Sequence, residues 1–387
     1  MATLGTPIPI TDDTRREVLR LDWPLIFATL LLLTFGLMSM YSVSFGVEGS
    51  TKPYFVKQAI NIAIGLIPFG LFAFIHPKFW RRGVNFLYVM DLLLLLAVLF
   101  MGKHTKGAER WIPLPGGIQF QPSELAKLLT ILTLSAFYAK REEQIEKFST
   151  FVLGLVHVAV PMALIFMQPH LGATIVVAIS WFAISVVAGV PPKFLGALVG
   201  CVLLLGGAMA IPTVRGKVLK PYQEERLLGM LGVQSGKKDL KGKNWQTDRA
   251  EIAFGVGGVS GTGFGQGGQK RAGYIPEQHN DFVLTILGEE GGLIGCLLLL
   301  GAYGFFFYRI FLVMLHTSDL FGKMAAGGVF AVLAFHTFVN MAMVLQIVPV
   351  VGLWLPFMSY GGTAMWLCLA SVGLLLGVRR RERPILF

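Results

Sequence analysis

Charge is what this sequence has least of. Of 387 residues only 14% are Asp, Glu, Lys or Arg, against 54% hydrophobic, which excludes a soluble globular protein, where about a quarter are charged. Cysteine is also sparse. Cys201, Cys296 and Cys368 each fall in an apolar run without paired spacing, so neither a disulfide framework nor a zinc site is expected. The seven His are scattered and HExxH does not occur, which removes the zinc-hydrolase pattern. No internal repeat marks two related halves, an argument against many secondary transporters. A short apolar region with a small-residue cleavage site is also missing: "RREVLRLDWPLIFATLLLLTFGLMSMYSV" offers a full-length span, expected to stay.

What the chain has instead is long apolar runs, each near the roughly 20 residues that a helix needs to cross a bilayer. We read ten spans, at 24–44, 57–75, 84–101, 122–140, 150–168, 170–189, 194–211, 282–308, 322–345 and 356–378. Runs such as "LLLLLAVLF" are apolar on every side, unlike the short alternating segments of a barrel. The expected fold is all-α and polytopic: one integral membrane domain over 1–387, with residues 212–280 as a large extracytoplasmic loop between spans 7 and 8. Net charge is +11, but placement matters more than sum. Arg15, Arg16, Arg20, Arg81, Arg82, Lys140, Arg141, Lys147, Arg309 and the arginines from Arg379 to Arg383 share one side of a ten-span arrangement, so both termini are expected in the cytoplasm. The basic 212–280 loop then faces outward, where it suits an anionic lipid or phosphate, and nucleic acid is not an expected partner.

Within that loop "PYQEERLLGMLGV" can form a short amphipathic helix. "EIAFGVGGVSGTGFGQGGQKRAG" holds a formal GxGxxG at Gly263, Gly265 and Gly268. It has no strand before it and no βαβ context, so it is not a dinucleotide signature, and the residues after Gly268 are not those of a Walker A loop. Two readings remain: a flexible loop, or a backbone that approaches a ligand or folds into the membrane and ends in the cations Lys270 and Arg271.

Ionisable residues inside a bilayer are expensive, so each is a functional candidate. "FQPSELAKLL" puts Glu124 and Lys127 on one helical face, as a structural ion pair or as the lining of a cavity. Asp281 stands at the threshold of an apolar run, where spacing alone favours a helix N-cap. Its neighbours Glu277 and His279, and the loop cations upstream, also suit a general base at a wet boundary. Glu289 and Glu290 lie two turns further in, and at least one must face the protein interior. Asp91 and the pair His336 and Asn340 are expected to make interhelical hydrogen bonds. "PVVGLWLPFMSYGGTAMW" reads either as a broken or re-entrant segment or as an ordinary turn.

Taken together, "GAERWIPL", "FQPSELAKL", "QPHLGA", "PYQEER", "GVSGTGFGQGGQK", "YIPEQHNDFVLTILGEEGG" and "LPFMSYGGT" resemble the SEDS proteins (shape, elongation, division, sporulation), the RodA/FtsW type, in family order over nearly the whole chain. The resemblance implies a peptidoglycan glycosyltransferase that polymerises lipid II at the outer face of the bacterial cytoplasmic (inner) membrane, with Asp281 as the catalytic residue. On that reading the candidates for substrate or pyrophosphate binding are Arg110, Trp111, Lys127, Lys270 and Arg271, since a leaving pyrophosphate needs positive charge. Glu124, Glu277, His279, Glu289, Glu290 and Ser359 would shape the cavity. The chain departs from the family pattern at Glu109, His170, Ala173 and Asn280, which withholds any role from positions 109 and 170.

The implied chemistry is one inverting displacement in which Asp281 takes a proton from the acceptor 4-hydroxyl. Positive charge for the leaving pyrophosphate would come from the named cations or a divalent ion such as Mg or Mn. Expected partners are a class B penicillin-binding protein (the transpeptidase), lipid II with the nascent glycan strand, and membrane lipids. "LDWPL" near the start favours the RodA-like, elongation form over the FtsW-like, division form, to which "GQKRAGYIPEQHNDF" leans. Rival readings are a lipid II flippase and a non-catalytic scaffold for the transpeptidase.

Overall fold

The computed structural model describes residues 21–45, 54–101, 103–105, 108–113, 119–168, 170–211, 243–275 and 278–380. The amphipathic segment expected in "PYQEERLLGMLGV", the basic N-terminal residues and Glu277 lie outside them. Thirteen α-helices occupy the described residues. Ten are long and fall where spans were expected: α1 Trp23–Phe45, α2 Tyr54–Phe74, α4 Val84–Met101, α5 Pro122–Ala139, α6 Phe148–Met167, α7 Leu171–Ala188, α8 Pro192–Ala210, α11 Leu284–His316, α12 Leu320–Val344 and α13 Gly362–Arg379. Three are shorter: α3 Pro77–Arg82, α9 Lys243–Gly257 and α10 Gly268–Arg271.

Seven of these helices are long and apolar enough to cross a membrane: α1, α2, α6, α7, α11, α12 and α13; α4 and α8 are apolar but shorter in their apolar part. The remaining long helix, α5, carries Glu124 and Lys127 and is buried along nearly its whole length. A helix walled in by other helices can hold charge that a lipid-facing one could not. The outward face of the bundle is apolar instead, with residues such as Leu203, Leu204 and Leu205 exposed, as hydrocarbon solvent requires.

The connection between α4 and α5 contains three short strands: β1 Lys103–Thr105, β2 Ala108–Pro113 and β3 Gln119–Phe120. They pair antiparallel in the order β1-β2-β3, with Thr105 opposite Ala108 and Ile112 opposite Phe120. Pairing satisfies backbone groups that would otherwise lie bare beside the membrane.

Packing follows small residues. Gly373 and Gly377, one turn apart on α13, face α2 so closely that a Cβ would lie 2.3 Å from Phe69 O and 2.3 Å from Phe72 O, respectively. This is the small-residue contact that lets membrane helices meet backbone to backbone. At one end of α1, Asp22 caps the first turn through the Leu25 amide at 3.0 Å and takes a two-point bond from Arg309 of α11 at 2.9 and 2.8 Å.

Two readings of the sequence need correction. The last span was expected from 356, but α13 starts at Gly362. Asp91 was expected to bond between helices; it is buried, and its Oδ1 has no hydrogen-bond partner.

Candidate active site

Pro122 occupies the first turn of α5, where its missing amide is no loss, and starts the helix so that Glu124 and Lys127 face inward. Lys127 Nζ donates to both Glu124 oxygens, at 2.8 and 2.9 Å. The indole of Trp354 donates to Glu124 Oε2 at 3.1 Å, and its ring lies under the ammonium, 5.2 Å from centroid to Nζ. His336 of α12 stacks on Trp354 at 3.9 Å and places Nε2 at 3.0 Å from Lys127 Nζ. An ammonium can only donate, so His336 Nε2 accepts and Nδ1–H faces Trp354 O at 3.3 Å. Lys127 thus has every hydrogen-bonding direction filled by an acceptor, which is the condition for keeping a charge so deep.

One turn further along α12, Asn340 donates to Asp281 O and to Leu353 O, both at 2.7 Å. Asp281 itself sits in a turn before α11, whose N-cap position is Val283 with no side-chain capping bond. Asp281 thus lies two residues ahead of the N-cap position that spacing suggested for it. Its carboxylate lies beside Gly352, where a Cβ would come 3.5 Å from Oδ2, and the residue is partly exposed.

The stretch 345–361 between α12 and α13 is non-helical; it begins exposed at Leu345, Gln346, Ile347 and Pro349 and then turns inward, with Leu353, Leu355, Phe357 and Met358 inside the protein. A segment that turns inward without becoming helical is what the broken or re-entrant reading expects of it. Its polar backbone is met by protein: Ser359 Oγ accepts from Leu355 N at 2.7 Å, and Tyr303 Oη donates to Pro356 O at 2.5 Å. Irregular backbone at membrane depth survives only under such conditions. Ser359 Oγ also donates to Asn280 O at 2.7 Å, and Gln58 of α2 donates to Ser359 O at 3.0 Å.

An aromatic group stands next to this turn. Tyr54 of α2 packs on His279 at 4.3 Å and on Tyr360 at 5.2 Å.

The strands bring a second edge. Arg110 on β2 donates from Nε to Gln168 O at 3.1 Å, and Trp111 beside it is partly buried. His170, in the connection between α6 and α7, has Nδ1 at 3.3 Å from both Gln121 Nε2 and Ser123 Oγ. Gly172 at the start of α7 packs on Val351 and Leu353, which joins this edge to the Asp281 turn.

Glu289, Glu290 and Lys270 form a separate cluster. Lys270 is buried and paired with Glu290, and Ser42 of α1 donates to the same Glu290 oxygen at 2.6 Å. Glu289 accepts from the amides of Gln269 at 2.7 Å and Lys270 at 3.4 Å at the head of α10. Both glutamates are buried. Arg271 is exposed and donates to Gly265 O at 3.1 Å.

The glycine-rich loop docks at this point. Gly292 breaks α11 with φ 61° and ψ −159°. The backbone groups freed there bond to the loop: Gly263 N to Glu290 O at 3.1 Å, Thr262 N to Glu289 O at 3.0 Å, Leu293 N to Gly258 O at 2.9 Å and Ile294 N to Val259 O at 3.1 Å. The residues predicted for the site thus fall into two groups. Asp281, Glu124, Lys127 and Ser359 are linked through α12 and the 345–361 stretch, with Arg110, Trp111 and His279 at its borders. Lys270, Glu289 and Glu290 serve the loop. Sequence reasoning missed Trp354, Gln58, Gln121 and Ser42; the only signal was Trp354 sitting within a Gly- and Pro-rich apolar run.

Comparison with known proteins gives a consistent result. The FtsW/RodA/SpoVE profile, described as cell cycle protein, matches residues 23–384. The peptidoglycan glycosyltransferase MrdB of Escherichia coli K12 is 32% identical over 380 residues, covering 97% of this chain and 99% of that protein. The probable peptidoglycan glycosyltransferase FtsW of Neisseria gonorrhoeae is 32% identical over 424 residues, covering 98% and 88%. Among solved structures, one reported as "Structural coordination of polymerization and crosslinking by a peptidoglycan synthase complex" aligns with TM-score 0.76 and 30% identity, covering 94% of this chain and 100% of that one. The Thermus thermophilus rod shape determining protein RodA aligns with TM-score 0.66 and 27% identity, covering 94% and 97%.

Proposed function

The chain belongs to the FtsW/RodA/SpoVE family of cell cycle proteins, and on that premise we propose that it polymerises lipid II with Asp281 as general base. It is a SEDS-type peptidoglycan glycosyltransferase and a multi-pass inner-membrane protein. The observation that supports a catalytic Asp281 is its setting: a partly exposed carboxylate in a turn rather than a helix, on backbone tied to the buried α12.

The acceptor sugar presents its 4-hydroxyl to Asp281. The carboxylate takes that proton as the oxygen attacks the anomeric carbon of the donor, and the bond to the lipid pyrophosphate breaks from the opposite face. Charge then grows on the pyrophosphate, and fixed cations there lower the barrier. Arg110 and Arg271 suit this better than Lys127 and Lys270, whose ammonium groups are already held in buried ion pairs. Among the described residues, no three His, Cys, Asp or Glu are placed to hold a metal ion. A divalent cation entering with the pyrophosphate would add to the positive charge that these arginines supply. Glu124, Lys127 and Ser359 shape the wall around Asp281, while Glu289 and Glu290 anchor the glycine loop.

We read the role as elongation, on the RodA-like start "LDWPL", with both termini cytoplasmic and a class B penicillin-binding protein as partner. Depletion should then give rounded cells, and filaments would point to division. The activity is tested with the purified full-length chain, its partner's transpeptidase site blocked, and fluorescent lipid II. Glycan polymer on a gel supports the proposal. Lipid II moved across vesicle walls without polymer would instead make the chain a flippase.

A further inference from the structure

We infer that Asn340 and Ser359 are positioning residues for the reaction, holding the turn that presents Asp281; this rests on the reading of Asp281 as general base. Three successive carbonyls in that turn are each bound by a different donor. His279 O accepts from Tyr360 N at 2.8 Å, Asn280 O from Ser359 Oγ at 2.7 Å, and Asp281 O from Asn340 Nδ2 at 2.7 Å. All three donors belong to α12 or to the buried stretch that follows it. That stretch also supplies Gly352 against the Asp281 carboxylate. A turn outside a helix normally has the freest backbone in its neighbourhood. Here it is tied at every residue from 279 to 281.

Asn340 is unusual in how it does this. Its single amide nitrogen uses both hydrogens, one on Asp281 O and one on Leu353 O, and its Oδ1 is left buried without a partner. The two carbonyl acceptors fix the amide orientation. A buried acceptor left unpaired offsets what the two donors contribute to stability. Stability alone is thus a poor account of an asparagine here. The two bonds do have a geometric result: they lock the Asp281 turn to the 353 backbone, from which Gly352 and Trp354 reach the carboxylate and the Glu124–Lys127 pair. His336, one turn before Asn340, binds that pair from the same helix. A base must sit within hydrogen-bond reach of the proton it takes, and displacement by about 1 Å lowers a rate by up to roughly 100-fold.

The test compares Asn340→Ala and Asn340→Asp with wild type in the full-length chain with its partner, measuring kcat and KM for lipid II, with folded protein quantified by thermal unfolding. The expected result for both variants is a kcat lower by roughly 10- to 100-fold with KM changed by less than about threefold. Asn340→Asp adds a readout that a merely structural role would not move. As a carboxylate it faces two carbonyls and repels them, while its protonated form donates one bond again, so its kcat relative to wild type should rise as pH falls. If Asn340→Asp does not fold, Ser359→Ala carries the same kcat and KM expectation. Wild-type kcat in Asn340→Ala, or a loss matched by the unfolded fraction or confined to KM, overturns the inference. Asp281→Asn in the same assay separates the two claims. An inactive Asp281→Asn beside a fully active Asn340→Ala removes only the positioning role; an active Asp281→Asn removes the base and the inference together.

Discussion

Lys127 is fully buried, and an ammonium there persists only because Glu124 and His336 face it and Trp354 backs it. Removing one partner of such a pair strands the other, a loss of about 3–5 kcal/mol. Lys127→Met should therefore lower the thermal midpoint in detergent strongly. Adding Glu124→Gln removes the stranded charge yet keeps an acceptor for the Trp354 indole, so the double variant should regain most of the loss. A double variant no more stable than Lys127→Met would contradict the assignment. At this scale the sequence was legible where charge met apolar surroundings: Glu124, Lys127, Asp281, Glu289 and Glu290 all stood out. It was not legible for Trp354, Gln58 or Ser42, because nothing local distinguishes an indole or hydroxyl that turns toward a partner over 200 residues away. Nor did it separate Lys127 and Lys270, held in ion pairs, from the exposed Arg271.

At the scale of elements, α11 is two helical pieces joined at Gly292, and the glycine loop repairs the break. The backbone there lies in a region essentially reserved for glycine, and a Cβ would meet Gly261 N at 2.4 Å. Gly292→Ala should thus destabilise the protein by at least about 1–3 kcal/mol from the backbone alone and expose the loop to protease. Gly301→Ala, in the same helix with nothing within 4 Å of the added carbon, should be neutral or slightly stabilising. Equal behaviour of the two variants in thermal unfolding would show that the break is not held as described. The sequence marked a glycine-rich loop that folds back as one of two readings. It could not choose between them, because the partner surface, the broken turn of α11, does not exist until the helix breaks. The β strands between α4 and α5 were likewise hidden, being only a few residues each.

At the scale of the whole molecule, hydropathy located the long helices well, since each must present about 20 apolar residues to lipid. α5 is the instructive case: its charges would weaken it as a span, and neighbours on all sides make them tolerable. Both termini cytoplasmic and the 212–280 loop outside is the expected topology. A membrane-impermeant thiol reagent should label Ser235→Cys in intact cells of an otherwise cysteine-free chain; labelling only after lysis would reverse the orientation. The central claim is that this bundle holds Asp281 where it takes the acceptor proton. The most direct measurement is lipid II polymerisation by Asp281→Asn against wild type, at equal folded and partner-bound protein. Loss of a general base predicts a fall of about 10²- to 10⁴-fold in kcat with partner binding unchanged, whereas polymer formed at the wild-type rate would contradict the account.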